Sequence, residues 1–559
     1  MTIQNHSDFT QFQTQLMIWL KDAFVEIQQG PYVVFFSYGN REKRCQVWNT
    51  SAADVKTVIN RTLKFIEQLF EKNRTLPEFL KCDIVTHTEK KTWAELDHIV
   101  TGQLHNNHFR QGVSFDEHFD ICFLEQEIYG RALIKGLVYS KPNFWDEKNL
   151  NDTIKIKYPN NAKVFDLNHM PDVWVFDTQA VIYEESNFIP LQSTGPVNGV
   201  RVIQEEKKPH IKKMIEQNAA FLHAEIQETG QFNYGYFPAY NRVLKGYNTV
   251  RHCTSLYALL ETLEVNNNTT YLPKIKLGIE YAIRTFYKEV NDEAFMIDGT
   301  EGAYEIKLGA NAAAIFMFAK YQEITGDDRY LSYAEALADG ILSMIDANGE
   351  TTHVLHYPSL EEKEKFRIVY YDGEAALGLL RLYQINQDPK LLDSVRLMFD
   401  HFIAKKYDKY HDHWLSYCAN ELTKIDPQEK YFQFGINNYL KHMRFIQERK
   451  TAYATFLEMM MSAYKMVKRL KEQGYEALYV NACFEELKQL IEGRVEYQRT
   501  GFFYPEVAMY MAVPKNILNA FYVRHDRFRT RIDDQEHNLS GYIAYFNHFE
   551  NGCIRAGQE

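Results

Sequence analysis

TTYLPKIKLGIEYAI at 269–283, DRYLSYAEALADGIL at 328–342 and PKLLDSVRLMFDHFI at 389–403 are three versions of one phrase. Each starts at a turn, carries apolar residues at helical spacing and keeps its charges on the opposite face, as a helix with one side in water does. They recur at intervals of roughly sixty residues, the mark of a repeated two-helix unit. The segments between them differ in kind. LGANAAAIFMFAKY (308–321), YDGEAALGLLRLY (371–383) and KTAYATFLEMMMSAY (450–464) carry small and apolar residues all round, so each is expected to be enclosed by neighbours. Alternation of exposed and enclosed helices predicts a closed ring rather than an open superhelix.

Worked outward, the same alternation covers the chain from Lys208 on, where strand signals almost vanish. Helical stripes pair as 208–227 with 251–264, 271–289 with 308–325, and 329–346 with 371–386. Three more pairs follow, 389–405 with 411–424, 431–446 with 451–470, and 475–494 with 534–549. Residues 208–559 are therefore expected to form a large all-α (α/α)6 toroid. Residues 1–185 change period repeatedly. PYVVFFSYG (31–39), KRCQVWN (43–49), KCDIVTHT (81–88) and the pair DVWVFD/AVIYEE (172–185) read as strands, and 51–70 as a helix. SFDEHFDICFLEQEIYGRALIKG (114–136) turns from strand to helix. This is a mixed α/β domain, and 186–207, with its Pro, Gly and Ser, reads as a linker. The fold class is multidomain α+β.

A chain of 559 residues with 45% apolar and 25% charged residues is an ordinary globular protein of two or three domains. Its net charge of −11 argues against a surface that neutralises phosphates, so no nucleic-acid partner is expected. The 37 Tyr and 37 Phe against 6 Trp suit a wet, polar ligand. The 7 cysteines (45, 82, 122, 253, 418, 483, 553) are scattered without a CxxC pair, which fits a reduced compartment. The N-terminal stretch lacks a basic segment followed by an apolar core and reads as an amphipathic helix capped at Ser7 or Asp8. No run approaches the ~18 apolar residues of a membrane span. A cytoplasmic location follows as the expectation.

In a ring of this kind the inner helices run parallel, and their N-terminal dipoles and open N–H groups gather at one rim. The segments entering the inner helices bring Tyr247, Asn248, Arg251 and His252; Tyr304, Glu305, Lys307 and Asn311; and Tyr370, Tyr371, Asp372 and Glu374. Further round come His411, Asp412, His413 and Trp414; then Arg449, Lys450 and Tyr453; then Arg529, Arg531, Asp533, Asp534, Glu536 and His537. An acid at a helix start is most often a cap, and a lone His is more often structural than catalytic. The coincidence of six such entries carries the functional reading, because outer helices open on bland turns. In VRHDRFRTRID (523–533) alternation would place Arg527, Arg529 and Arg531 on one face of an extended segment, able to grip an acidic group. DDQEH (533–537) resembles a Mg²⁺-binding DDxx(D/E) run in a single copy. HDH (411–413) and HNNH (105–108) lack matching ligands at a known spacing, so neither metal nor cofactor is expected.

This layout, with YYDGEAALGLLRLY (370–383) as its most recognisable phrase, resembles the six-hairpin glycosidase-like superfamily over roughly residues 208–550. That group holds (α/α)6 glycoside hydrolases, polysaccharide lyases, N-acylglucosamine-type epimerases and glucuronyl C5-epimerase-like proteins. The resemblance is one of layout and carries no family's catalytic residues across. Terpenoid cyclases and lanthionine cyclases use related toroids, but neither their acidic motifs nor a Cys/Cys/His zinc set is recognisable here. The resemblance implies a carbohydrate-active enzyme working on an acidic or modified saccharide in the mouth of the ring. Candidate catalytic groups are Asp372, Glu374, Asp533, Asp534 and His252. Candidate binding groups are Tyr247, Arg251, Tyr371, Asp412, His413, Trp414, Arg529 and Arg531. Glu374, in the first turn of its helix, is expected to be a base or nucleophile, since the dipole favours its carboxylate. The other class is a non-catalytic scaffold that binds a glycan or peptide in a biosynthetic assembly, with a protein partner on the N-terminal domain.

Overall fold

The computed structural model describes residues 3, 5–28, 30–105, 107–136, 142–160, 163–449, 451 and 453–550. The chain forms two compact units, each drawn from several stretches. One takes residues 1–205, 236–244 and 500–530; the other takes 206–235, 245–499 and 531–559.

The first unit is built on an antiparallel sheet in the order Lys43–Ala52, Tyr32–Asn40, Phe79–Lys91, Val173–Glu184, Gly112–Ser114, Cys122–Phe123. Alternation along Tyr32–Asn40 explains its unbroken apolar run. Val34 and Phe36 face the helices His6–Ala23 and Val55–Asn73, packing with Phe12, Leu16 and Ile66. Val33 and Phe35 face the other way, into a core with Phe119, Phe176, Met509 and Tyr510. Three expectations are corrected here. The expected pair of strands at 172–185 is one strand, Val173–Glu184, paired with Phe79–Lys91 from Lys91↔Val173 to Leu80↔Tyr183; the polar middle, Thr178 and Gln179, reads as a break. The expected linker at 186–207 is partly sheet, since Asn187–Pro190 pairs back on Val173–Glu184. Finally, 500–530 belongs to this unit rather than to the ring: Cys45 N–H donates to the Met509 carbonyl (2.8 Å), and the Ser37 and Tyr510 hydroxyls share a 2.7 Å hydrogen bond. The N-terminal helix starts slightly earlier than read, capped by Asn5 rather than by Ser7 or Asp8.

The second unit is the ring. Its outer helices are Lys207–Ala224 (α1), Leu272–Phe286 (α3), Leu331–Ser343 (α5), Pro389–Ala404 (α7), Glu429–Leu440 (α9) and Phe484–Arg499 (α11). Its inner helices are Thr249–Asn266 (α2), Leu308–Thr325 (α4), Tyr370–Asn386 (α6), His413–Ile425 (α8), Thr455–Glu472 (α10) and Ile532–His548 (α12). Each inner helix packs on the next, α2 on α4, α4 on α6, α6 on α8, α8 on α10, α10 on α12, and α12 returns to α2. The circle closes. The expected (α/α)6 toroid is therefore present.

The repeated phrase is the buried stripe of the outer helices. Ile275, Gly278, Ile279 and Ala282 in α3 recur in position as Ala334, Leu337, Ala338 and Ile341 in α5, the i, i+3, i+4, i+7 face of a one-sided helix. By contrast, every residue of α4 from Leu308 to Tyr321 is buried. Strands do occur in this region, where strand signals almost vanish from the sequence. Tyr287–Val290, Glu293–Asp298, Glu305–Lys307, Val354–His356 and Glu362–Glu364 form an antiparallel sheet in the loops entering α4 and α6. Runs of three to six residues are too short to show a period of two. No helix among the described residues is long and apolar enough to cross a membrane.

Candidate functional site

The N-terminal turns of the inner helices meet one another around the ring. Arg251 of α2 donates from Nε to Asp533 of α12 (2.8 Å) and from Nη1 to the Tyr234 hydroxyl (2.8 Å). A Cβ on Gly309 of α4 would collide with the Glu374 carboxylate and the Tyr371 ring of α6. A Cβ on Gly373 would lie 2.7 Å from Asp412 Oδ2 and 2.7 Å from Trp414 Cβ, at the start of α8. Tyr417 of α8 donates to Glu458 Oε1 of α10 (3.1 Å), and Glu458 Oε2 lies 2.9 Å from Nδ1 of His537 in α12. The two glycines remove side-chain bulk where neighbouring helix ends press together. Gly373 thus makes room for a protein carboxylate, not for a ligand.

Most of the acids singled out from sequence are committed to the scaffold. Asp372 accepts from Thr351 Oγ1 (2.6 Å) and from His353 Nε2 (3.1 Å), tying the loop before α6 to its helix. Asp412 caps α8, accepting from Trp414 N–H (3.1 Å) and Leu415 N–H (3.3 Å). Asp533 is held by Arg251 and by both Nε and Nη2 of Arg531. Asp534 stands in the first turn of α12, and its backbone carbonyl accepts from Asn538. His252, expected to be catalytic, is a wall residue. Its Nε2–H donates to the Gly278 carbonyl (2.9 Å), which leaves Nδ1 to accept from the Tyr247 hydroxyl (2.8 Å). Tyr247 in turn accepts from Phe232 N–H (2.9 Å). Burial pushes His252 down to about 4, so the ring is neutral and spent on packing.

The extended arginine face at 523–531 does not form. Arg524–Asp526 is a 3-10 turn, and Arg527 and Phe528 have φ of 58° and 55°. Arg527 and Arg529 pair with Asp526 within the first unit. Only Arg531 is in the toroid. Lys450 lies outside the described residues.

Glu374 stands apart from the other acids. It is 4% exposed, and its Oε2 has no hydrogen-bond partner. Burial raises its pKa to about 8, and the nearby carboxylates of Asp412 and Glu536 add to the effect against His537 and Arg251. The helix dipole is outweighed: Glu374 is a protonated acid at neutral pH, not the base or nucleophile expected of it. Around it His413 is neutral, lowered by burial to about 3, with Nδ1 3.2 Å from Asp412 Oδ1 and Nε2 unpartnered. Burial opposes a charge on His537, yet Glu536 and Glu458 overcome it and hold that imidazole protonated. Trp414 lies tilted against His413 and edge-on to His537, and Tyr371 lies against His353. Above them Tyr304, Phe366, Tyr370, Tyr410 and Tyr453 are exposed on the segments entering α4, α6, α8 and α10.

Glu458 escaped the sequence reading, and Glu536 and His537 were not among its chosen residues. The signal for Glu458 was a lone acid inside FLEMMMSAY on a helix otherwise enclosed, an expensive place for a charge without a purpose.

No protein-family model matches the sequence, and no curated protein matches it. In fold the chain is similar to a D-mannose isomerase, at 12% identity and a TM-score of 0.45 over 61% of this chain and 99% of that one. It is likewise similar to cellobiose 2-epimerase from Bacillus thermoamylovorans, at 12% identity and a TM-score of 0.46 over 61% and 98% of the two chains. A third similar structure is an alpha-1,6-mannanase from Salegentibacter sp., at 13% identity and a TM-score of 0.41 over 60% and 98%. At such identities the likeness is one of helical layout alone.

Proposed function

We propose that the mouth of the toroid is the active site of a carbohydrate-active enzyme that works by proton transfer, with Glu374 as its general acid. The observation that carries this reading is the buried Glu374 carboxyl, unpartnered at Oε2 and raised to about 8. An acid kept neutral at working pH is what protonation of a leaving oxygen requires. The exposed tyrosines and Phe366 at the rim supply flat faces and hydroxyls suited to a sugar ring. The partner base would be Glu536, whose charge acts both on Glu374 and on the His537 imidazole. Hydrolysis, elimination and epimerisation all use such an acid–base pair. The rim guanidiniums of Arg251 and Arg531 share the single carboxylate of Asp533, so a net positive charge remains there to meet a polar or acidic group of the saccharide.

A thermal-shift screen of neutral and acidic saccharides, followed by product analysis on each binder, tests the reading. Glu374→Gln keeps the shape and removes the proton; it is expected to retain binding and lose about 10²–10⁴-fold in turnover. Undiminished turnover overturns the acid role. Tight binding without product from any saccharide supports instead the glycan-binding scaffold.

A further inference from the structure

Three donors on three different inner helices converge beneath the mouth: His413 at the start of α8, Glu458 in the first turn of α10 and His537 in α12. One ligand atom from each lies within 4.8 Å of the other two. Glu458 and His413 are 1% and 4% exposed, so the group is enclosed rather than a chance gathering on a surface. His413 Nε2 is buried and unpartnered. Its other nitrogen, Nδ1, sits 3.2 Å from Asp412 Oδ1. With Nδ1 set beside that carboxylate, Nε2 is the nitrogen left open to an ion, much as a carboxylate orients a metal-binding histidine. Tyr417 does the same for Glu458, donating to Oε1 and leaving Oε2 turned to His537 Nδ1. Two of the three ligands are thus backed by groups that would not themselves bind the ion.

We infer that His413, Glu458 and His537 form a binding site for one divalent first-row transition ion. Two imidazoles and a carboxylate suit zinc, and equally Fe(II), Co(II) or Ni(II), while Mg²⁺ and Ca²⁺ prefer all-oxygen sets. Ligand atoms up to 4.8 Å apart need small side-chain rotations to reach metal–ligand distances of about 2.0–2.2 Å. Binding would displace the proton that His537 shares with Glu458, and that proton leaves to solvent. The dication would also offset a locality where Glu374, Glu458 and Glu536 are all buried acids. Three protein ligands leave a coordination position for water or a ligand oxygen.

The test reads metal occupancy, so it stands or falls apart from the acid role of Glu374. Protein made without a polyhistidine tag and stripped with chelator is titrated with Co²⁺ and with Zn²⁺ alone. One equivalent should stay bound through gel filtration, with a visible d–d band for Co²⁺, a proton released on binding and a Tm raised by several degrees. His413→Ala and His537→Ala should weaken binding at least 100-fold. Glu458→Gln, which keeps the side-chain shape, should weaken it ten- to a hundredfold and keeps the test readable if a histidine variant fails to fold. His105→Ala, in the other unit, should leave occupancy unchanged. Wild-type protein that binds neither ion, or binding undiminished in folded Glu458→Gln, overturns the site.

Discussion

The two ends of the inner helices treat buried charge in opposite ways. Toward the C-terminal half, Lys320 of α4 pairs with Glu264 of α2 (2.7 Å) and with Glu323 (2.9 Å). Glu421 of α8 accepts from Lys424 (2.9 Å) and lies 3.5 Å from Arg381 of α6. Burial works against the Glu421 carboxylate, but Arg381, Lys424 and Lys465 overcome it and hold its pKa far below the ordinary value. At the N-terminal rim the balance reverses. Glu374, Glu458 and Glu536 are all raised, with burial as the leading cause. The same six helices thus carry mostly satisfied acids at one end and frustrated ones at the other, with Glu261 of α2, raised by burial in the lower half, as the exception. A ring that needed only to stand would pair both ends alike. Acids left buried and short of cations are an expense that structure does not explain, and they mark where chemistry is done.

The contrast breaks most visibly under one substitution made at each end. Glu421→Gln leaves Arg381, Lys424 and Lys465 without their shared carboxylate. It is expected to cost about 3–5 kcal/mol in denaturant unfolding, the usual penalty for orphaning a buried charge. Because the folded pKa of Glu421 is depressed, its contribution is complete above the unfolded value near 4 and fades as pH falls below it. The gap between wild type and variant should therefore be full at pH 7 and close in acid. A variant as stable as wild type at pH 7 would show that the lower end is no better paired than the rim.

The architecture was legible because burial writes itself along a single helix. The stripe Ile275, Ile279, Ala282 and its echo Ala334, Ala338, Ile341 state which face is inside without reference to any other segment. The site was only partly legible because its properties belong to several helices at once. Asp372 and Glu374 look alike in YYDGEAAL, yet Thr351 and His353 hold one and nothing holds Oε2 of the other. Nothing in the spacing of His413, Glu458 and His537 announces that α8, α10 and α12 bring them together. Burial also reversed the sign of the Glu374 expectation, since a dipole is a local feature that sequence shows and desolvation is a global one that it does not. The turn that re-aims Arg527 was missed for a related reason, as positive φ at Arg527 and Phe528 is rare for such residues and has no compositional cue.

A second way to sharpen the comparison lies in the packing that holds the rim together. Gly373→Ala places a methyl 2.7 Å from Asp412 Oδ2 and Trp414 Cβ and 2.9 Å from Leu415 N, so α6 and α8 must separate at their N-termini. Overpacking of this kind is expected to cost about 2–3 kcal/mol. Gly378, further down α6, faces Ala312 at 3.2 Å, where a small shift accommodates a methyl. Gly378→Ala should therefore cost less than Gly373→Ala. Equal penalties in chemical denaturation would deny the rim its special closeness.

The smallest expected effect has the opposite sign and discriminates best. Glu374 has a folded pKa near 8 against an unfolded value of about 4.3. A carboxyl shifted upward gives its full stabilisation below the unfolded value and loses it as pH rises through the folded one. Wild-type stability should therefore decline from about pH 4.5 to pH 8, where the buried carboxylate is finally forced to ionise. Glu374→Gln cannot ionise and escapes that decline. The shift bounds the gain at about 5 kcal/mol above pH 8, but the new amide brings N–H donors that need partners in a buried place. A net gain of about 1–2 kcal/mol is expected there, with none at pH 4. Urea midpoints of wild type and variant, measured at pH 4, 6 and 8.5, decide the matter. A variant that gains on wild type toward alkaline pH confirms a strained, proton-holding acid at the rim, whereas one that loses to wild type as pH rises would place Glu374 in the same class as Glu421, a paired structural carboxylate.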